Sequence, residues 1–194
     1  PHFYEHPLTL GRTYYTETPK RVEYFNQAAI VTSTFKPQAE ASPVVAIAAG
    51  DCFSLALTMG GRIFAWGLSD GRLGTGKVHK AGFATVPEPV VFPEDNAKTT
   101  KNIESLHSRG ALSYALVSTI KSDGSSKVGD QTYLWGKVPA GLNMKLHSQT
   151  LATPEVLEEI APYSFGQLMM ETDFALGVGS AVKLVFQLPV EQKE

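Results

Sequence analysis

The sequence predicts an all-β repeat protein in which one small antiparallel sheet is built several times along the chain. Three observations predict it. A phrase recurs: Gly50-Asp-Cys-Phe-Ser-Leu-Ala-Leu-Thr58 with Gly61-Arg-Ile-Phe-Ala-Trp-Gly67, then Gly110-Ala-Leu-Ser-Tyr-Ala-Leu116 with Gln131-Thr-Tyr-Leu-Trp-Gly136, and in faded form Asp173-Phe-Ala-Leu176 with Lys183-Leu-Val-Phe186. The alanines Ala56, Ala115 and Ala175 at its centre fall 59 and 60 residues apart. A second mark, Pro19-x-x-Val22, Pro87-x-x-Val90 and Pro154-x-x-Leu157, keeps step at intervals of 68 and 67. The third observation is the supply of turn formers, 17 glycines and 12 prolines in 194 residues, which suits many short strands. Self-similarity at a fixed period means one supersecondary unit used repeatedly.

Each unit reads as strand, turn, strand, turn, strand. Val44 to Ala48 is an apolar run ending at Gly50, and Cys52 to Thr58 follows as a second strand. Met59-Gly-Gly61 is a hairpin signal, and Arg62 to Trp66 makes the next strand. Ala56 and Ala65 sit small among large neighbours, which suits sheets leaning closely on one another. Trp66 and Trp135 would plug the space between sheets, and Gly67 and Gly136 let the chain turn after them. Lys20 to Phe25, Pro87 to Phe92 and Pro154 to Ile160 would supply the outer strand of each sheet, with a proline at the head because proline cannot donate to a ladder. This division gives units of roughly 10–67, 68–136 and 137–188, with a polar end at 189–194.

Unequal spacing locates two insertions. One is Asn26 to Pro43, a polar and small-residue stretch read as a loop. The other is Thr119 to Asp130, which lengthens the path from Ala115 to Trp135 to 20 steps against 10 from Ala56 to Trp66. Its Ser-Asp-Gly-Ser-Ser centre is strong turn chemistry, so it reads as an elongated hairpin tip. Insertions in repeat folds often carry partner contacts. The tip residues Lys121, Ser122, Asp123, Gly124, Ser125 and Lys127 are therefore the candidate partner-binding residues.

Composition narrows the function. A net charge of −2 argues against binding nucleic acid over the whole surface, which needs a basic face. No stretch reaches the ~20 apolar residues of a spanning helix; Phe174 to Val190 comes nearest and reads as two short strands. The single cysteine, Cys52, cannot form an internal disulfide or a cysteine-based zinc site, and fits a reducing compartment. It is expected as a buried, inert thiol within its strand.

No catalytic, cofactor or metal site is expected. Gly71-Arg-Leu-Gly-Thr-Gly-Lys77 matches the first seven positions of a phosphate-binding loop, but the magnesium-holding eighth is Val78 and no helix pattern follows. His2, His6, His79, His107 and His147 lack ligand spacing. No nucleophile elbow or carboxylate pair stands out.

The run from Ala48 to Gly76, with Trp66-Gly67, Leu73-Gly74-Thr-Gly76 and the following Pro87-x-x-Val90, resembles the repeat of the regulator of chromosome condensation family. The resemblance is strong over 44–91, moderate over 103–136 and weak over 151–188; Leu10-Gly11 with Thr18 to Val22 looks like the tail of an earlier repeat. It implies a β-propeller of four-stranded antiparallel blades, usually seven in the family, of which about three are visible. Gly50, Ala56, Trp66, Gly67, Gly74, Gly110, Ala115, Trp135, Gly136 and Ala175 are then repeat-defining structural residues. The histidine common before the family's Ser-Leu-Ala-Leu is replaced by Phe53 and Leu112, and the third unit lacks its Trp-Gly.

With no catalytic constellation, the leading expectation is a non-catalytic, protein-binding scaffold, a subunit or assembly factor of a larger complex. The alternative is a guanine-nucleotide exchange factor, since the family's exchange member uses a protruding β-hairpin to loosen nucleotide from a small GTPase. The resemblance implies an intracellular soluble protein and leaves nucleus, cytosol, mitochondrion and flagellum equally open.

Overall fold

The computed structural model describes residues 22–25, 43–93, 99–121, 123–138 and 150–156, with the backbone of strands at 165–170, 174–179 and 183–187. A 3-10 turn at Glu23–Phe25 is followed by eleven described strands. The first sheet is an antiparallel meander of β1 (Val44–Gly50), β2 (Phe53–Thr58), β3 (Ile63–Leu68) and β4 (Phe83–Pro89). The second repeats it with β5 (Thr99–Arg109), β6 (Leu112–Lys121), β7 (Lys127–Lys137) and β8 (Thr150–Val156). The third comprises β9 (Phe165–Met170), β10 (Phe174–Gly179) and β11 (Lys183–Gln187), with β10 in the middle. The first two are four-stranded blades of a propeller-type all-β fold, the third shows three strands among the described residues, and the described sheets do not close into a ring.

The three alanines mark one place in each sheet. Ala56 stands between Ile47 and Phe64, Ala115 between Leu106 and Tyr133, and Ala175 between Met170 and Phe186. One row along, Ser54 joins Ala49 to Trp66, and Ser113 joins Ser108 to Trp135. Strand residues alternate between faces, so each row belongs to one face of its sheet. The opposite face of the first sheet carries Phe53, Leu55, Leu57, Ile63 and Ala65, which join Leu106, Ala115, Tyr133 and Trp135 of the second in one buried core. Phe53 and Leu112, at the expected histidine positions, are both core residues.

Several expectations are corrected. The outer strands begin upstream of their prolines, at Phe83 and Thr150. Pro87 and Pro154 are buried where the ladder to the preceding strand slips, beside Trp66 and Trp135. A bulge tolerates a residue without an N–H mid-strand. The sheets therefore group strands across the expected unit boundaries at 67/68 and 136/137. Where an outer strand was expected at Lys20 to Phe25, residues Glu23–Phe25 form the 3-10 turn. Cys52 is exposed and lies in the two-residue turn between β1 and β2 with φ of 63°. The tight turn imposes that left-handed backbone and aims the thiol outward, so it is not a buried strand residue. The stretch 26–42 of the expected first loop lies outside the described residues.

Candidate functional site

Among the described residues polar side chains meet at the junction between the first two sheets, at the projecting end of the second, and beside β4, where His79 Nε2 stands 3.0 Å and Lys77 Nζ 3.8 Å from the Glu88 carboxylate.

The junction is built by the segment after β3. Arg72 reaches back and grips Asp70 with two hydrogen bonds, Nε to Oδ1 at 2.6 Å and a second guanidinium nitrogen to Oδ2 at 2.7 Å. Its remaining arm donates to the Asp51 carbonyl at 2.7 Å. Across the junction, Lys137 Nζ of β7 approaches Asp70 Oδ2 at 3.0 Å. The Asp51 N–H donates to the Gly110 carbonyl of the second sheet at 2.6 Å. Hydrogen bonds from Arg72, helped by Lys137, hold the Asp70 carboxyl well below the usual carboxylate range, and Asp70 in turn raises Arg72. A bidentate pair of this kind fixes direction as well as distance.

Beside it, Leu73 is fully buried and Gly74 lies flat on the indole of Trp135. A Cβ on Gly74 would come within 2.6 Å of Trp135 Cδ1, and its φ of 73° is left-handed, so glycine is required twice over. Val91 N–H donates to the Gly74 carbonyl at 2.9 Å, and Phe92 packs edge-on against Trp135 and Tyr133. Gly76 N–H donates to the Ala152 carbonyl of β8 at 2.8 Å. The glycine-rich loop thus spends itself on the neighbouring sheet, and no helix follows it, which disposes of a phosphate cradle there.

The projecting end is made by β5, β6 and β7. Among the described residues β8 pairs with β7 between Tyr133 and Lys137, and β6 and β7 stay paired out to Ile120 and Lys127. The ladder between β5 and β6 slips at Glu104, whose carboxylate accepts from Ser118 at 2.6 Å and from Asn102 at 3.1 Å. Beyond this slip the three strands run on as an arm. At its tip Lys121 N–H donates to the Ser126 carbonyl, Gly124 N–H to the Lys121 carbonyl, and Ser125 N–H to the Asp123 carboxylate at 2.8 Å. Those Ser125 bonds lower the Asp123 pKa, and the Asp130 carboxylate, 2.6 Å from Lys127 Nζ, raises that of Lys127.

The tip residues named from sequence fall together. Lys121, Asp123, Gly124, Ser125 and Lys127 are all exposed there, while Ser122 lies outside the described residues. Among the described residues no three His, Cys, Asp or Glu side chains could hold a metal ion. His107 stacks on Tyr114 at 4.9 Å; burial lowers the histidine pKa and pushes the phenol up to about 12. Sequence reasoning did not single out the Asp51–Asp70–Arg72–Lys137 network. Its signal was present, since Asp51 follows Gly50, Lys137 follows Gly136, and Asp70-Gly-Arg72 lies within the longest repeat phrase.

These features define the class: a repeat protein whose sheets lean face to face in propeller fashion. Residues 44–72 match the regulator of chromosome condensation (RCC1) repeat, in agreement with the resemblance read from the sequence. The crystal structure of human WBSCR16 is similar in fold, with 20% identity and a TM-score of 0.52, covering 77% of this chain and 34% of that one. Yeast RCC1 (Prp20) bound to Kap60 matches at 15% identity and a TM-score of 0.48, covering 75% of this chain and 32% of that one. Prp20p of Saccharomyces cerevisiae, solved in a study of its binding to Gsp1p and histones, matches at 18% and 0.49, covering 75% and 33%. The chain spans about a third of the length of these structures. No curated protein matches it.

Proposed function

We propose that this chain is a non-catalytic binding scaffold in which the leaning sheets hold the arm at 119–130 out toward a protein partner, within a larger complex. The observation that carries this reading is the arm itself: β5, β6 and β7 stay laddered out to Thr99, Lys121 and Lys127, and present Lys121, Asp123, Ser125, Lys127 and Val128 to solvent. Laddered strands lose little further entropy when a partner docks, unlike a floppy loop. The described tip balances Lys121 and Lys127 against Asp123 and Asp130, so it suits a protein surface better than a phosphate backbone. No described helix is long and apolar enough to cross a membrane. The lone exposed Cys52 is in keeping with a reducing compartment.

The test is affinity capture from native extract with the full chain and with a variant whose 122–126 tip is replaced by a two-residue turn. A partner held by the first and lost by the second, at unchanged melting temperature, is the expected result. Recovery of bare chain in both cases overturns the proposal.

The same arm could serve nucleotide exchange, the role implied by the family's wedge-like hairpin, because exchange needs a rigid face and no general acid or base. Release of fluorescent guanine nucleotide from small GTPases separates the two readings. Acceleration lost on shortening the tip favours exchange; no acceleration at micromolar protein removes it.

A further inference from the structure

The tripeptide Ser-Asp-Gly occurs twice in this chain, at Ser69-Asp70-Gly71 and at Ser122-Asp123-Gly124, and no other aspartate or asparagine precedes a glycine. An aspartyl-glycine pair can rearrange without an enzyme. Glycine has no side chain, so its amide nitrogen is open to the carboxyl carbon before it. The two copies carry the same chemistry in opposite surroundings.

At the junction both Asp70 carboxylate oxygens are held, by Arg72 at 2.6 and 2.7 Å and by Lys137 at 3.0 Å. Gly71 is buried, and a Cβ on it would meet Thr150 Cγ2 at 2.7 Å. Carboxyl and amide are thus fixed between two sheets. At the tip of the arm Asp123 and Gly124 are both exposed, and a Cβ on Gly124 would meet nothing within 4 Å. The Asp123 carboxylate reaches past Gly124 to accept the Ser125 N–H at 2.8 Å, which lays the side chain along the Gly124 peptide. The Gly124 N–H is held within the tip turn itself, by the Lys121 carbonyl at 2.8 Å, and such a contact opens by local fraying.

We propose that Asp123–Gly124 is a site of spontaneous isomerisation in the folded protein, which turns the tip of the arm into an isoaspartyl link, and that Asp70–Gly71 is protected from the same reaction. The Gly124 nitrogen attacks Asp123 Cγ. The new N–C bond forms and one carboxyl oxygen leaves as water, taking the carboxyl and amide protons, so that a succinimide remains. Water then opens the ring at one of its two C–N bonds. Opening at Cγ restores aspartate; opening at the main-chain carbonyl carbon leaves the chain running through Cγ. No oxidant or reductant takes part, and the mass is unchanged. The product adds a methylene to the backbone and removes the side chain that holds Ser125, so the tip turn is reset. The water-losing step needs a neutral carboxyl, and the Arg72 and Lys137 clamp keeps Asp70 ionised more firmly than Ser125 keeps Asp123. The rearrangement is independent of what the arm binds.

Ageing the full chain at pH 7 in water enriched in oxygen-18, with digestion afterwards in ordinary water, tests this. Ring opening takes one oxygen from solvent, and trypsin delivers the two copies on separate peptides, Ile63–Arg72 and Ser122–Lys127. In the native chain the 122–127 peptide is expected to take up label and split into two chromatographic forms. The 63–72 peptide should lag by about tenfold or more, since it reacts only through the opened fraction of the junction. In urea the two should react at similar rates, because only the fold distinguishes them. A tip peptide that stays unlabelled in the native chain overturns the proposal, as do equal native rates at the two sites.

Discussion

The first and second sheets carry the same rows of residues in the same register; Ala56 and Phe64 are as buried as Ala115 and Tyr133, but the positions around them are buried to different degrees. Trp135 is enclosed between Gly74, Phe92 and its own sheet, whereas Trp66 keeps only Phe25 among the described ring contacts. Leu106 is core, and Ile47, at the same place, is surface. The strands themselves do not decide this. What decides it is whether a neighbouring sheet leans on that face, and in repeat architectures much of the stability resides in such interfaces.

Breaking the covered face should therefore cost far more than breaking the open one. Trp135→Ala removes a fully buried indole and is expected to cost about 3–5 kcal/mol. Trp66→Ala, at a half-buried site, should cost about 1–2 kcal/mol. Leu106→Ser and Ile47→Ser should repeat the contrast. Urea unfolding midpoints of the four variants against the parent chain check it, and equal losses at Trp66 and Trp135 would mean the two faces are alike after all. Gly74→Val attacks the same junction from the other side. Overpacking against the indole, with a β-branched residue forced to left-handed φ, is expected to cost about 2–3 kcal/mol.

The polar half of the junction sharpens the comparison through pH. Arg72→Ala strands the Asp70 carboxylate beside Lys137 and should cost about 2 kcal/mol, below the usual loss for a fully buried pair because Asp70 remains partly in water. The Asp70 pKa is depressed in the folded chain. Its contribution is thus complete above the unfolded carboxylate value of ~3.9 and drains away as pH falls below it toward the folded value. Asp70→Asn should start less stable at neutral pH, and the gap to the parent should close as pH drops below about 4. Thermal melts at pH 7, 4 and 2.5 measure it; a gap that stays constant would mean that Asp70 is not coupled to folding through its charge.

Much of this architecture was legible in the residues because sterics wrote it there. Ala115 had to be small, since it sits at the centre of the row facing the first sheet, Ala56 holds the same place in its own sheet, and both tryptophans stand at the same register point. Less legible was anything decided between distant segments. Pro87 and Pro154 announced outer strands, but only the slipped ladder beside each tryptophan explains why those strands start several residues earlier. Cys52 read as a strand residue from its apolar neighbours, whereas the two-residue turn took it out of the sheet. The Arg72 network joins Asp51, Asp70 and Lys137 from three separate stretches, and no local pattern reports such a meeting. The arm was legible as an insertion, yet its support by β5 was not, because β5 contains no repeat phrase of its own.

The arm supplies the smallest expected effect, and the contrast with the junction depends on it. Lys127 and Asp130 form an exposed pair at 2.6 Å, and exposed pairs contribute about 0–1 kcal/mol because water and salt compete for both charges. Lys127→Ala should therefore lower stability by no more than about 0.5 kcal/mol, with less effect still in high salt. Asp123→Ala should leave the unfolding midpoint where it is, since its carboxylate organises only the tip turn through Ser125. Yet the same two substitutions should weaken capture of a partner. A residue whose removal costs binding and not folding belongs to a working surface, whereas one whose removal costs folding first, as at Trp135, belongs to the frame. If Lys127→Ala proves as damaging to stability as Arg72→Ala, the arm is part of the frame and the binding surface must be sought elsewhere on the sheets.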